Sequence, residues 1–155
     1  MRLLVVSDSH GHTDRLLAAA KATNADAIVH LGDHARDAAV LAPFAPVYTV
    51  QGNCDFCTAP EELLLTLEGK KIFITHGHRY HVKSDTVLLE QAARDKGAQA
   101  VLYGHTHIAD YCFHNRMLLL NPGAIAGCRD TRKATYAILE WTADNQIYMT
   151  MSEVL

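Results

Sequence analysis

The chain has 155 residues, 49% of them hydrophobic, and a formal net charge of -3. That length suggests a single domain over 1–155, and that apolar share supplies a core and excludes a disordered or fibrous chain. The charge balance leaves no basic footprint for nucleic acid.

The first half of the chain alternates. "LLVVSD" (3–8) reads as a buried strand, with too few apolar residues for the core of a signal peptide. "DRLLAAAKATN" (14–24) reads as a helix, "AIVHLGD" (27–33) as a second strand and "ARDAAVLA" (35–42) as a second helix ended by Pro43. "PVYTVQG" (46–52) is a third strand. Strands alternating with helices indicate parallel βαβ units. The stretch 38–54 carries no charge, but Pro43, Pro46 and its polar residues argue against a bilayer span. No membrane association and a cytoplasmic location are expected. Cys54, Cys57, Cys112 and Cys128 then read as reduced thiols, and the CxxC of Cys54 and Cys57 has no second pair at zinc-knuckle spacing.

The pattern then changes. "LLLTLEGKKIFITHG" (63–77) is two apolar runs about a Glu-Gly turn, a hairpin. "DTVLLEQAARDKG" (85–97) is a helix closing on Lys96 and Gly97. "QAVLYG" (99–104) is a strand, "DYCFHNRMLLLNPG" (110–123) a hairpin, and "ATYAILEWTADNQIYMTM" (134–151) a final hairpin around Asp144-Asn145. Parallel units in one half and antiparallel hairpins in the other suggest an α/β fold of two sheets packed face to face, with helices on the outer faces.

Ten histidines stand against one tryptophan, and histidine is the commonest metal ligand. Position decides which matter. Asp8 and His10 follow the first strand, Asp33 the second and Asn53 the third. His76 follows the first hairpin, and His105 and His107 follow the strand at 99–103. Open α/β sheets bind ligands at this carboxyl edge. Each cluster adjoins a glycine, Gly11, Gly32, Gly52, Gly77 or Gly104, which permits a sharp turn. In an extended segment, residues two apart point to one side. His105 and His107 can then reach one cavity, as can Asp8 and His10. So many ligands suit two ions about 3.5–4 Å apart better than one tetrahedral ion.

"DSH" (8–10), "GD" (32–33), "GNCD" (52–55), "THGH" (75–78) and "GHTH" (104–107) resemble, in order, the signature of the calcineurin-like metallophosphoesterases. The length and "NPGA" (121–124) look like the short phosphodiesterase branch. The resemblance implies an α/β/β/α sandwich of the metallophosphoesterase type. It also implies Asp8, His10 and His107 on one ion, Asn53, His76 and His105 on a second, and Asp33 bridging them. Manganese is the expected metal; nickel, iron or zinc would also suit a mixed oxygen and nitrogen donor set. The implied activity is hydrolysis of a small phosphodiester substrate by a hydroxide held between the ions. The resemblance admits a homo-oligomer.

One position departs from the family. Many members carry histidine after the asparagine of the GN motif, and here Cys54 stands there. A neutral thiol is a poorer acid than imidazolium. Asn53 and Cys54 are therefore expected at the substrate, good leaving groups such as aryl esters are favoured, and His78 is the alternative catalytic acid. Asp55 is expected to orient a ligand histidine. His12 and His34 read as rim residues, His30 as a buried structural residue, and His81 and His114 as surface residues. Arg129 and Arg132 either hold a substrate phosphate or are solvated. The competing function is a non-catalytic protein-binding scaffold of the same fold, as in a retromer subunit with an eroded metal site. Competent donors at all seven positions favour the enzyme.

Overall fold

Unbroken apolar runs such as Leu3–Val6 and Met117–Leu120 do not alternate because both faces of their strands are covered. In a computed structural model, which describes residues 1–155 other than Ala143 and Asn145, these runs are interior strands of two sheets. One contains β1 (Arg2–Val6), β2 (Ala27–His30), β3 (Val47–Thr49), β9 (Thr135–Glu140) and β10 (Tyr148–Glu153), in the order β10-β9-β1-β2-β3. The other contains β4 (Glu62–Leu67), β5 (Lys70–Thr75), β6 (Ala100–Leu102), β7 (Ala109–His114) and β8 (Met117–Pro122), in the order β4-β5-β6-β8-β7.

Period-two alternation sorts the core into three layers. Leu3, Val5, Val29, Ile72, Ile74, Leu102, Leu120 and Leu139 meet between the sheets. Leu4, Val6, Ile28 and Ile138 face the opposite way, onto α1 (Thr13–Thr23). Phe73, Val101 and Leu119 pack outward against Leu89 and Ala93 of α2 (Val87–Asp95). This is the expected two-sheet sandwich with helices outside.

Four details differ from the sequence reading. The parallel and antiparallel parts do not segregate: β9 joins the first sheet antiparallel to β1, and β6 lies parallel to both β5 and β8. The strand direction that an apolar run takes is set by its connection, which local pattern does not encode. The segment 35–42 forms a 3-10 helix, Ala35–Leu41, with Ala42 N–H donating to Ala39 O. An α-helix there would press the Pro43 ring onto the Ala39 carbonyl. The third strand is only Val47–Thr49, an edge paired solely with β2. The last strand runs on to Glu153, and the turn expected at Asp144-Asn145 includes Asn145, outside the described residues. The other two hairpins turn as their residues require: Glu68-Gly69 and Asn115-Arg116 all have positive φ, the form that matches strand twist. No described helix is long and apolar enough to cross a membrane.

Candidate metal centre

β1 and β2 stop abruptly, and the chain reverses over the carboxyl edge of the sheets. Asp8 (φ 53°), His10 (φ 43°), Asp33 (φ 58°), His105 (φ 71°) and His107 (φ 59°) all lie in the left-handed region. Aspartate and histidine enter it more readily than most side chains, but each still costs energy, and such residues gather at functional sites. The extended pairing expected of Asp8 with His10 and of His105 with His107 is therefore corrected. Left-handed turns, not pleat alternation, aim these side chains. Tertiary hydrogen bonds hold the turns: Asp8 N–H to Gly32 O (3.0 Å), Gly104 N–H to His76 O (3.0 Å) and Arg129 N–H to His107 O (2.8 Å).

Two of the glycines are required by close approach. A Cβ on Gly52 would overlap the Asp33 carboxylate and come within 2.6 Å of Asp33 N. A Cβ on Gly104 would meet Ser7 Oγ and come within 2.7 Å of Asp8 Oδ2. The missing side chains are spaces filled by carboxylates.

Asp8, His10, Asp33 and His107 each present a donor atom within 4.8 Å of the others. Asp8 Oδ1 lies 2.9 Å from His107 Nε2 and 4.0 Å from both His10 Nε2 and His76 Nε2. Asp33 spans the cluster, with Oδ2 3.7 Å from His10 Nε2 and Oδ1 3.5 Å from His76 Nε2. Asp8 Oδ1 is buried with His107 Nε2 at 2.9 Å, and His10 Nε2 is buried with no hydrogen-bond partner among the described residues. Buried polar atoms are rarely left so. A cation between them would satisfy both.

His76 gives the same answer independently. Its Nδ1 lies 2.7 Å from the Leu31 carbonyl, which can only accept, so Nδ1 carries the proton. A neutral His76 then turns the Nε2 lone pair toward Asn53 Oδ1 (3.0 Å), Asp33 Oδ1 (3.5 Å) and Asp8 Oδ1 (4.0 Å). Four acceptors facing one another need a positive charge among them. Burial opposes charge on His76, but Asp33 and Asp8 outweigh it and raise its pKa. Burial likewise opposes ionisation of Asp8, but His107, His76 and Ser7 keep its carboxyl below the usual range. Burial also works against Asp33, yet His76 and the Cys54 N–H hold it far lower still. Burial pushes His10 down despite Asp33 and Asp8, and pushes His105 down to about 4, helped by His76 and Lys83. Imidazoles held neutral are the form that binds metal.

The paired histidines diverge. The His107 ring lies 5.3 Å from that of His10, and the His105 ring lies 5.1 Å from that of His76. Asn53 is exposed, and its Nδ2 points at Cys54 Sγ (3.6 Å). Cys54 N–H donates to Asp33 Oδ1 (2.9 Å), while its exposed thiol is raised by burial and by Asp33. His78 is half-buried, 5.5 Å from the His76 ring and 6.0 Å from that of His105, with Nδ1 buried and unpartnered. Burial, His76 and Arg79 lower its pKa, so it stands as a neutral imidazole.

Three supporting residues escaped the sequence reading or were placed differently. Gly32 N–H donates to His30 Nδ1 (3.2 Å), so His30 Nε2–H donates to Ser9 Oγ (3.0 Å). Ser9 in turn donates to Asp37 Oδ2 (2.8 Å), which also accepts Gly11 N–H (2.7 Å). Burial pushes His30 down to about 4, in keeping with that neutral tautomer. His30 is buried as expected, but it is one end of a chain tying the Asp8–Gly11 turn to β2 and the 3-10 helix. Ser9 gave a signal, lying between two ligands and facing away; Asp37 gave none. Asp55 does not orient a histidine. Its carboxylate accepts Asp33 N–H (2.9 Å), Ala35 N–H (2.9 Å) and Gly52 N–H (2.7 Å), so it fixes the backbone that carries Asp33 and Asn53. Of the remaining histidines, His34 is exposed with its ring 5.1 Å from that of His10, His12 is half-buried, and His81 and His114 are exposed.

The Asp8, His10, Asp33 and His107 cluster is a candidate metal site, and the chain belongs to the calcineurin-like phosphoesterase superfamily, whose domain description matches residues 1–144. It is 38% identical over 144 residues to a probable metallophosphoesterase of Bacillus subtilis, YsnB, covering 90% of this chain and 83% of that protein. It is 28% identical over 169 aligned residues to the Escherichia coli phosphodiesterase YfcE, covering 90% and 88%. In fold it is similar to Vps29 of Entamoeba histolytica, with a TM-score of 0.80, 20% identity and 99% of each chain covered.

Proposed function

We propose that the protein is a metal-dependent phosphodiesterase that uses two divalent ions. Asp8, His10 and His107 would hold one ion, Asn53, His76 and His105 the other, and Asp33 both. Manganese is the ion the family resemblance favours, and the mixed oxygen and imidazole donor set would also take nickel, iron or zinc. The observation that carries the reading is the buried, cation-deficient meeting of Asp8 Oδ1, Asp33, His10 Nε2 and His76 Nε2. When bound, such ions act as Lewis acids on a phosphoryl oxygen and lower the pKa of water.

The chain's own residues do the rest. Asp8 and Asp33, held ionised, leave the loaded site with about two positive charges, which attract a phosphate ester. Asn53 and Cys54 sit at the open face, where the substrate enters. His78 donates from a neutral ring to a phosphate oxygen or to the departing oxygen. The lowered pKa of His78 leaves little of its protonated form, and the raised pKa of the Cys54 thiol makes it a weak acid. The leaving group therefore departs largely unprotonated, which favours aryl over alkyl esters.

The assay is hydrolysis of bis(p-nitrophenyl) phosphate with manganese, with and without chelator. Manganese-dependent turnover that Asp8→Asn abolishes supports the reading; a fully loaded protein inert toward aryl diesters contradicts it. The likeness to Vps29 gives the scaffold reading a basis in fold alone. The complete set of donors weighs against it, since function resides in the site.

A further inference from the structure

Each sheet ends in two edge strands, and the four edges differ. β3 has only three residues. β4 and β10 each carry one charged residue, Glu62 and Glu153, and both are paired within the chain, with Lys96 and Lys133. β7 runs six residues in unbroken register with β8 and holds no lysine, proline or bulge, the usual guards of an open edge. Its Tyr111 and Phe113 are 53% and 56% exposed, although they stand opposite Leu120 and Leu118 of the core. Asp110 borders a cavity with Lys83 and Arg129 but takes part in no ion pair among the described residues.

The hairpin fixes which way this edge faces. Its two-residue turn, Asn115-Arg116, makes His114 and Met117 a hydrogen-bonded pair. Cys112 and Asp110 then bond to β8 in the same way. The backbone N–H and C=O groups of Ala109, Tyr111 and Phe113 point away from β8, along the open edge. Side chains alternate across the strand. Tyr111 and Phe113 lie on the side between the sheets. Asp110, Cys112 and His114 lie on the α2 side, where His114 Nδ1 donates to Glu90 (2.6 Å) and Arg94 Nη2 donates to the His114 carbonyl (3.0 Å).

The strand is its own complement. Two copies laid antiparallel about a two-fold axis at Cys112 pair Tyr111 of each with Phe113 of the other, through the free backbone groups. The same register sets Asp110 of one copy against His114 of the other, beside Arg94, at both ends. These are non-hydrogen-bonded positions, where side chains come closest. Moving the axis to Tyr111 sets Asp110 against Cys112 and loses the charge pair. Moving it to Phe113 leaves only three strand residues, Cys112–His114, overlapped.

We infer that the β7 edge is a docking surface for a second copy of this chain, joined antiparallel through β7 with the two-fold axis at Cys112. The surface lies outside the metal centre, so this inference and the phosphodiesterase reading stand or fall separately. A six-residue edge buries less than the roughly 1,600 Å² of a stable interface, so the dimer should be reversible and dissociate in the micromolar range.

The test is sedimentation of the full chain over a range of concentrations. The native sequence should pass from monomer to dimer. Tyr111→Lys/Phe113→Lys sets like charges opposite each other across the axis and should weaken the dimer about tenfold or more, with the melting temperature as the folding control. Cross-linking reads the register. In Cys54→Ser/Cys57→Ser, which keeps Cys112 and the buried Cys128, diamide should join two chains by a Cys112–Cys112 disulfide. The Cα atoms of that pair would lie about 4.5 Å apart, within disulfide reach, and the two thiols give two electrons and two protons to diamide. The added lysines should suppress the link. A chain that stays monomeric into the millimolar range overturns the inference. So does a dimer that tolerates the lysines or forms no Cys112 link.

Discussion

The site has two unlike halves. Around Asp8, His10 and His107 only Asp8 is fully buried, but two carboxylates converge, and the Ser9–His30–Asp37 chain backs the turn from behind. Around Asn53, His76 and His105 only His76 is fully buried, Asn53 is exposed, and the amide brings no charge. The difference teaches that one pair of sheet edges can build a tight position and a loose one side by side. Carboxylate count and rigidity set how firmly a cation is held. The first half should fill at lower metal concentration than the second.

Asp33 belongs to both halves, so its loss should erase the difference. Asp33→Asn should cut hydrolysis about a thousandfold or more, beyond the 10–100-fold typical of residues that act through a ligand. It should also weaken both ions together. A variant that loses only one ion would show that Asp33 is not shared.

Ser9→Ala should act on one half alone. It leaves His30 Nε2–H buried without its partner, which costs about 1–3 kcal/mol of stability, while Asp37 Oδ2 keeps only the Gly11 N–H. The tighter ion should weaken about 10–100-fold while the looser one is unchanged. Equal weakening of the two, in a metal titration, would show a general loosening of the fold instead. Cys54→His should act on the open half. It should raise alkyl relative to aryl ester hydrolysis several-fold, since imidazolium is the better acid; an unchanged ratio would remove Cys54 from the leaving-group side.

The smallest effect is on the chelated protein. The native pKa of His30, about 4, lies below its ordinary 6.5, so as pH falls the unfolded chain takes up the proton first. That contribution to stability is full above about pH 6.5 and is lost toward pH 4. His10, His78 and His105 shift the same way, and His76, whose pKa is raised, opposes them. The urea midpoint should therefore drop between pH 7 and pH 5, and His30→Gln should flatten the slope. A midpoint that holds steady over that range in the native sequence would contradict the assignment.

The strand-end residues were legible because chemistry and position coincided: Asp8, Asp33, His76, His105 and His107 each follow an apolar run beside a glycine. Their left-handed backbone was not legible, because the extended reading of a D-x-H or H-x-H segment aims the side chains together just as well. The two-sheet plan followed from apolar runs covered on both faces. The placement of β9 beside β1 did not, since it depends on contacts more than a hundred residues apart in sequence. Asp37 and Asp55 show the limit most clearly. Each is a single carboxylate with no pattern around it, and what distinguishes it is the set of donors that only the folded chain brings to it.

The most direct measurement is anomalous scattering from crystals of the manganese-loaded protein. Two peaks about 3.5–4 Å apart should appear, one bounded by Asp8, His10 and His107, the other by Asn53, His76 and His105, with Asp33 between them. No peak among these side chains, in crystals of protein that still cleaves aryl diesters, would contradict the account.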